Sequence, residues 1–238
     1  VRFKGFGSFM CTNGTKKPFR IKLNEFTKGQ KIGGLGTYNL NNNCGDPSYV
    51  RERPYYELGA SAGLLTPRHT YAALYINGKY WGLYTLVEVP NSDWLVERLG
   101  SAEKGNLYKG DPTGTFEDLG DETLPYRQNY EKKTNESKDD WSDLKELIAI
   151  VNRAPLEELP ARVEKLLDVD SVLAALAVDA VTVNLDSYRG YGHNYFIYRR
   201  VSDGRFQFIP WDGNLSFGGF NFEHDSAGLQ ALPNDWTA

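Results

Sequence analysis

The sequence predicts an α+β fold, with strands in its first third, helices in its second half and a strand hairpin near its end. Three observations carry this. Tyr71-Ala-Ala-Leu-Tyr-Ile76 and Lys79-Tyr-Trp-Gly-Leu-Tyr-Thr-Leu-Val-Glu88 flank Asn77-Gly78, the strongest short signal for a hairpin turn. Trp141, Leu144, Leu147, Ile148 and Val151 recur at the spacing of an amphipathic helix, with acidic residues leading in. Between His193 and Asp212 two aromatic-rich runs surround Ser202-Asp203-Gly204, a second hairpin.

Taken in order, Arg2-Phe-Lys-Gly-Phe-Gly-Ser-Phe9 reads as strand, glycine turn, strand. Lys17 to Leu23 alternates, with Phe19, Ile21 and Leu23 on one face together with Lys17, and Arg20 and Lys22 on the other. Gly29 to Gly45 is rich in Gly and Asn and reads as a loop. Asp46-Pro47-Ser48 is a fitting helix start, and the helix is expected to reach about Ala62, kinked by Pro54 or holding it in its first turn. After the first hairpin, Pro90-Asn-Ser-Asp93 breaks the pattern before a short helix from Trp94 to Leu99. That break is the expected boundary between two units, 1–90 and 91–238. Residues 100–138 are charged and irregular, ending in the run Tyr130 to Lys138, which reads as a solvated loop. Val169 to about Asn184 is a helix apolar almost all round, so it belongs at the centre, with Asp179 as a paired polar group inside it.

The bulk properties exclude several classes. The 238 residues are 40% hydrophobic and 24% charged, an ordinary globular composition, and the net charge of −4 gives no basic surface for nucleic acid or anionic membrane. No run approaches the roughly 20 apolar residues of a membrane span. The chain begins with Val1 and shows no signal peptide, so it reads as a fragment or mature region of a longer protein. Cys11 and Cys44 fit either two buried thiols or one disulfide, and no zinc spacing. Fifteen tyrosines suit a strand-rich extracellular protein or a carbohydrate-binding surface.

The candidate chemistry lies at the second hairpin. A three-residue loop, Ser202 to Gly204, pairs Val201 with Arg205 and thereby sets Asn194 opposite Asp212. An amide oxygen and a carboxylate at that separation suit one Mg²⁺, which takes hard oxygen ligands and usually one or two carboxylates plus substrate phosphates. Asn214 reads as loop former or extra metal contact. Asp186 begins the loop that leads from the central helix to Asn194. A carboxylate after a helix, then an amide, a hairpin and a second carboxylate before a glycine is the order in which protein kinases arrange their site. Spacing and neighbours differ from the common kinase motifs: Asp186 follows Asn-Leu, and Asp212 precedes Gly-Asn. On the nucleotide side a kinase needs a phosphate-contacting Lys paired with a helix Glu. Lys17 is the first candidate and Lys22 the alternative, with Glu57 preferred to Glu52 as partner, and Trp211 or Tyr84 as an adenine platform.

Together, Arg2-Phe-Lys-Gly, Lys16 to Leu23, Asn39-Leu40, Asp46 with Ser48 and Arg51, Tyr75 to Tyr84 ending at Glu88, His193-Asn-Tyr-Phe-Ile-Tyr198 and Ile209-Pro-Trp-Asp212 resemble the CotH kinase family, the spore-coat protein H group. The resemblance implies an atypical protein-kinase-like, two-lobed fold, with a strand-rich N-lobe and a mainly helical C-lobe whose hairpin carries metal ligands. It implies ATP-dependent phosphorylation of Ser-rich proteins with Mg²⁺ or Mn²⁺ at a cell or spore surface. Asp186 is then the catalytic base, Asn194 and Asp212 are metal ligands, and Lys17, Lys22, Glu57, Glu88 and Trp211 lie on the nucleotide side. Gly5-Phe6-Gly7-Ser8 departs from the family's Gly-Asn-Ser-Ser turn, and the sequence stops soon after Asp212 where a kinase large lobe normally continues, so the resemblance implies a C-lobe truncated at its C-terminal end. A non-catalytic surface adhesin of the same fold is the alternative.

Overall fold

The computed structural model describes residues 1–5, 7–11, 16–100 and 104–220. Residues 221–238, which the expected second unit includes, and Phe6 of the glycine turn lie outside the described residues. The architecture is α+β, with two antiparallel sheets and, among the described residues, eight α-helices. No helix among these residues is long and apolar enough to cross a membrane.

The first sheet has five strands in the order β1 (Arg2–Phe3), β2 (Phe19–Lys22), β3 (Thr37–Asn41), β5 (Lys79–Glu88), β4 (His69–Ile76). The Asn77-Gly78 turn closes β4 on β5 as expected, with both residues in the left-handed region that such a turn requires. Two readings are corrected. The second strand expected after Gly5 is instead a short helix, α1 (Gly7–Met10). The supposed loop 29–45 contains β3, which lies between β2 and β5. Its sequence, Thr-Tyr-Asn-Leu-Asn, carries amides that are depleted in strands, but Asn39, Asn41, Asn42 and Asn43 are all buried there.

Helix α2 (Glu52–Ser61) begins later than Asp46, and Pro54 sits in its first turn, where its missing N–H costs nothing. Asp46 instead caps the preceding turn, accepting hydrogen bonds from Ser48 N (3.0 Å) and Arg51 N (2.9 Å). Helix α3 (Ser92–Leu99) is capped by Asn91, whose side chain accepts from Trp94 N.

The second sheet has the order β7 (Tyr130–Lys132), β6 (Leu107–Gly110), β8 (Tyr195–Arg199), β9 (Phe206–Pro210). Both β6 and helix α4 (Thr123–Asn129) fall in the stretch read as irregular, and β7 in the run read as a solvated loop. Leu107, Tyr108 and Tyr130 are in fact buried. Their apolar positions are too few and too separated by polar residues to show a period. Helix α5 (Ser142–Arg153) matches its expected pattern and is followed by α6 (Leu159–Leu166). Helix α7 (Val169–Val181) buries one face, Ser171, Ala175, Val178 and Asp179, beside β9, with Ser171 Oγ accepting a hydrogen bond from Phe208 N (3.0 Å). Leu173 and Val181 on its other side are exposed, so it is not enclosed all round as its apolar sequence suggests. The short helix α8 (Tyr188–Tyr191) precedes β8. Aromatic packing fills the space between these elements, with Tyr195 and Phe208 stacked at 4.7 Å. Cys11 and Cys44 form a disulfide that ties the segment after α1 to the loop after β3.

Candidate functional site

Asp186 leaves the end of α7 in a tightly folded loop. Thr182 Oγ1 donates to Val178 O, and Asn184 is buried with its amide donating to Asp179 Oδ1 (3.1 Å). Asp179 also accepts from Tyr55 Oη (2.8 Å) on α2, so it is the paired core group that the sequence suggests. Burial pushes its carboxyl up to about 6, against the hydrogen bonds from Tyr55, Ser187 and Asn184.

The Asp186 carboxylate is gripped from two sides. Asn194 Nδ2 donates to Asp186 Oδ2 (3.0 Å) and to its carbonyl (2.8 Å), and His193 Nε2 lies 2.7 Å from Oδ1. That contact holds the His193 imidazole above its ordinary pKa, so the ring is biased towards the charged, donating form. With its nitrogen committed to Asp186, Asn194 has its side-chain oxygen left for another partner.

The hairpin register differs from expectation by one residue. The loop has four residues, 201–204, closed by Arg200 N donating to Arg205 O (2.9 Å), and the last ladder pair is Tyr195 with Pro210. Asn194 is therefore opposite Trp211, whose N–H donates to its carbonyl (3.1 Å), and Asp212 lies one residue further on. Both Asn194 (φ 57°) and Asp212 (φ 58°) are left-handed, so the strand's alternation of faces ends at this point. Gly213 is required next: a Cβ there would stand 2.0 Å from Tyr55 Cδ1. The Asn214 amide, with its nitrogen turned towards Asp212, donates to its Oδ1 (3.2 Å) and carbonyl (3.1 Å).

Asp212 joins a second group of side chains, of which only Glu52 is weighed in the sequence, as the less favoured partner to Glu57. Its N–H donates to Tyr56 Oη (3.0 Å), and that hydroxyl donates to Glu52 Oε1 (3.2 Å). Asn41 Nδ2 donates to both Glu52 oxygens (3.0 and 2.9 Å), and Lys4 Nζ donates to Asn41 Oδ1 (2.5 Å). Burial raises Glu52 to about 7, and the negative charge of Asp212 adds to this. Burial lowers Lys4, while Asp212 and Glu52 oppose the shift. One lysine and two carboxylates thus share an interior pole, bridged by an amide and a phenol.

The nucleotide-side candidates are placed elsewhere. Lys17 Nζ donates to Phe9 O (2.7 Å). Lys22 pairs with Glu25 (2.6 Å), and Glu57 with Arg53 (2.8 Å), all four groups being largely exposed. Glu88 is buried and held by Arg68 Nε (2.5 Å) and Trp94 Nε1 (2.9 Å). Trp211 is packed edge-on to Phe196 in the core, and Tyr84 is fully buried with its hydroxyl on Lys17 O. Burial of these two rings takes them out of any carbohydrate-binding surface, whereas Tyr75 and Tyr80 stay exposed side by side on the first hairpin. Lys4 and His193 carried no signal in spacing, since one charged residue in a short strand or turn resembles any other. Lys4 does fall within the Arg2-Phe-Lys-Gly segment.

As to metal, no three His, Cys, Asp or Glu side chains gather among the described residues. The oxygens of Asn194 and Asp212 are nonetheless hard donors that fit a Mg²⁺ or Mn²⁺ ion completed by phosphate and water.

Fold and site together define an α+β protein with a composite carboxylate, amide and lysine site at the junction of its two sheets. The chain belongs to the CotH kinase protein family, whose model matches residues 1–237. It is 32% identical over 207 residues to the inner spore coat protein H of Bacillus subtilis (strain 168), covering 85% of this chain and 55% of that protein. The chain thus spans about half the length of that relative.

Proposed function

We propose that the chain is an ATP-dependent protein kinase that phosphorylates Ser or Thr hydroxyls of a Ser-rich protein, within a two-lobed, atypical kinase-like arrangement split near residue 90. The observation that carries this is Asp186, held by His193 and by Asn194, whose carbonyl accepts from Trp211 N–H one residue before a left-handed Asp212 that is itself joined to Glu52 and Lys4. Phosphoryl transfer asks little covalent chemistry of a protein and much positioning and charge. In the reaction the acceptor oxygen forms a bond to the γ-phosphorus, the bond from that phosphorus to the departing ADP oxygen breaks, and the hydroxyl proton passes to Asp186. His193 and Asn194 hold that carboxylate in one orientation. Lys4, kept near Glu52 through Asn41, supplies positive charge for nucleotide phosphates. Asn194 and Asp212 would hold Mg²⁺ or Mn²⁺, which offsets phosphate charge when bound. The relative's name places that protein in the inner spore coat, and a spore-surface location is proposed here too.

The test is incorporation of label from ATP into a Ser-rich acceptor with Mg²⁺ or Mn²⁺. Asp186→Asn and Asp212→Ala are each expected to lower it by at least about a hundredfold. Wild-type incorporation no greater than that of these variants sinks the kinase reading and leaves a non-catalytic binding module.

A further inference from the structure

A second concave site lies at the closed end of the β8–β9 hairpin, away from Asp186. Its cavity of about 370 Å³ is lined by Lys104, Lys132, Lys138, Arg199 and Arg200, with Asp140 and Asp143 as its acidic members. Both carboxylates are already engaged. Asp143 is buried and accepts from Tyr108 Oη (2.6 Å) and Asn106 Nδ2 (2.8 Å), and Asp140 accepts from Ser142 N (2.9 Å). Arg200 is turned to Asp168 and Asp203, at 2.6 Å each.

The remaining cations are only partly neutralised. Lys104 and Lys138 have no carboxylate partner among the described residues. Lys132 donates only to neutral oxygens, Tyr108 Oη and Asp140 O, and lies over the Tyr108 and Trp141 rings. Arg199 uses Nε on Gly204 O (3.1 Å), while its terminal Nη1 stands 3.7 Å from Asp143. Burial also holds Lys132 below its usual pKa, a cost that a bound anion would relieve. Against Asp140 and Asp143, these four cations leave an excess of two positive charges. A phosphate monoester carries about −1.5 to −2 at neutral pH, which matches that excess better than one carboxylate does. Lysines act here as movable point charges suited to a phosphate. The chain as a whole is at −4, so this is a local recess and not a general polyanion surface.

We infer that this recess binds the phosphate group of a phosphoserine side chain in a peptide segment. It stands at the far end of β8 from Asn194, roughly 17 Å along the strand at about 3.4 Å per residue. It would hold an already modified segment while a neighbouring hydroxyl is presented at Asp186; the phosphate site stands on the recess itself, and the choice of phosphoserine and this consequence rest on the kinase reading.

Binding is measured by fluorescence anisotropy, without nucleotide or metal, for a phosphoserine peptide, its unmodified form and inorganic phosphate. Lys104→Gln with Lys138→Gln removes two exposed charges without touching the core, and a third variant adds Lys132→Gln. Wild type is expected to prefer the phosphopeptide, and the double variant to bind it about tenfold more weakly with unchanged thermal stability. The inference is overturned if the phosphopeptide binds no better than the unmodified peptide. It is equally overturned if the double variant keeps full affinity, or if inorganic phosphate binds as tightly as the phosphopeptide. Because nucleotide is absent, failure here is separable from failure of phosphoryl transfer.

Discussion

At Asp179 a single buried carboxyl gives the protein a pH-dependent stability of its own. Its folded pKa, pushed up to about 6, lies above the ordinary value of 3.8. Between those two values the folded state holds more protons than the unfolded one, so this group's contribution to stability falls as pH rises. Above about pH 6 the cost is complete, on the order of 3 kcal/mol. Asp179→Asn keeps an acceptor for Tyr55 and cannot ionise. The difference in unfolding free energy between variant and wild type should therefore grow from pH 4 to pH 6 and then level off, as read by urea denaturation at each pH. A flat difference would show that Asp179 is not the buried acid described. Lys4 is the second decisive residue. If it serves nucleotide phosphates, Lys4→Gln lowers kcat/KM for ATP by roughly a hundredfold, whereas Lys17→Gln and Lys22→Gln leave it within a few-fold.

Among the elements, α2 joins the halves of the chain. Its consecutive tyrosines reach to different places, Tyr55 to Asp179 on α7 and Tyr56 to the amide of Asp212. Tyr56→Phe leaves that N–H and one Glu52 contact unmade inside the protein. The expected loss is about 1–3 kcal/mol, visible as a lower thermal midpoint, together with weaker label incorporation. The elements also differ in how far the sequence announces them. The Asn77-Gly78 hairpin, α5 and α7 are legible because turn chemistry and apolar period act locally. Strand β3 is hidden by its asparagines, which only burial beside Lys4, Glu52 and Thr85 turns from loop formers into core partners. Asp186, Asn194 and Asp212 were found from their order in the chain, but their relation depended on a turn length. One extra loop residue, Val201, shifted Asn194 from Asp212 to Trp211. Glu57 shares a helical face with Val50 and Pro54, but the buried face of α2 is that of Glu52, Tyr55, Tyr56 and Gly59, and Val50 is half exposed.

Across the whole molecule the disulfide is the main covalent constraint. Cys11 and Cys44 are 33 residues apart, and closing such a loop restricts the unfolded chain by about 3–4 kcal/mol in the chain-entropy account. Replacing both with Ser should lower the unfolding free energy by that order, measured by denaturant titration under oxidising conditions. An unchanged value would mean the linkage does not form in solution.

The pair of tyrosines on α2 has a consequence for dissecting the protein. Cutting the chain near residue 90 would not yield two smaller working pieces. The C-terminal piece would keep Asp179 in an apolar bed stripped of its phenol donor, and its Asp212 turn would have no ring under Gly213. The N-terminal piece would expose two large aromatic rings. Such fragments should aggregate singly and recover only when mixed, so the natural unit for engineering is the undivided chain.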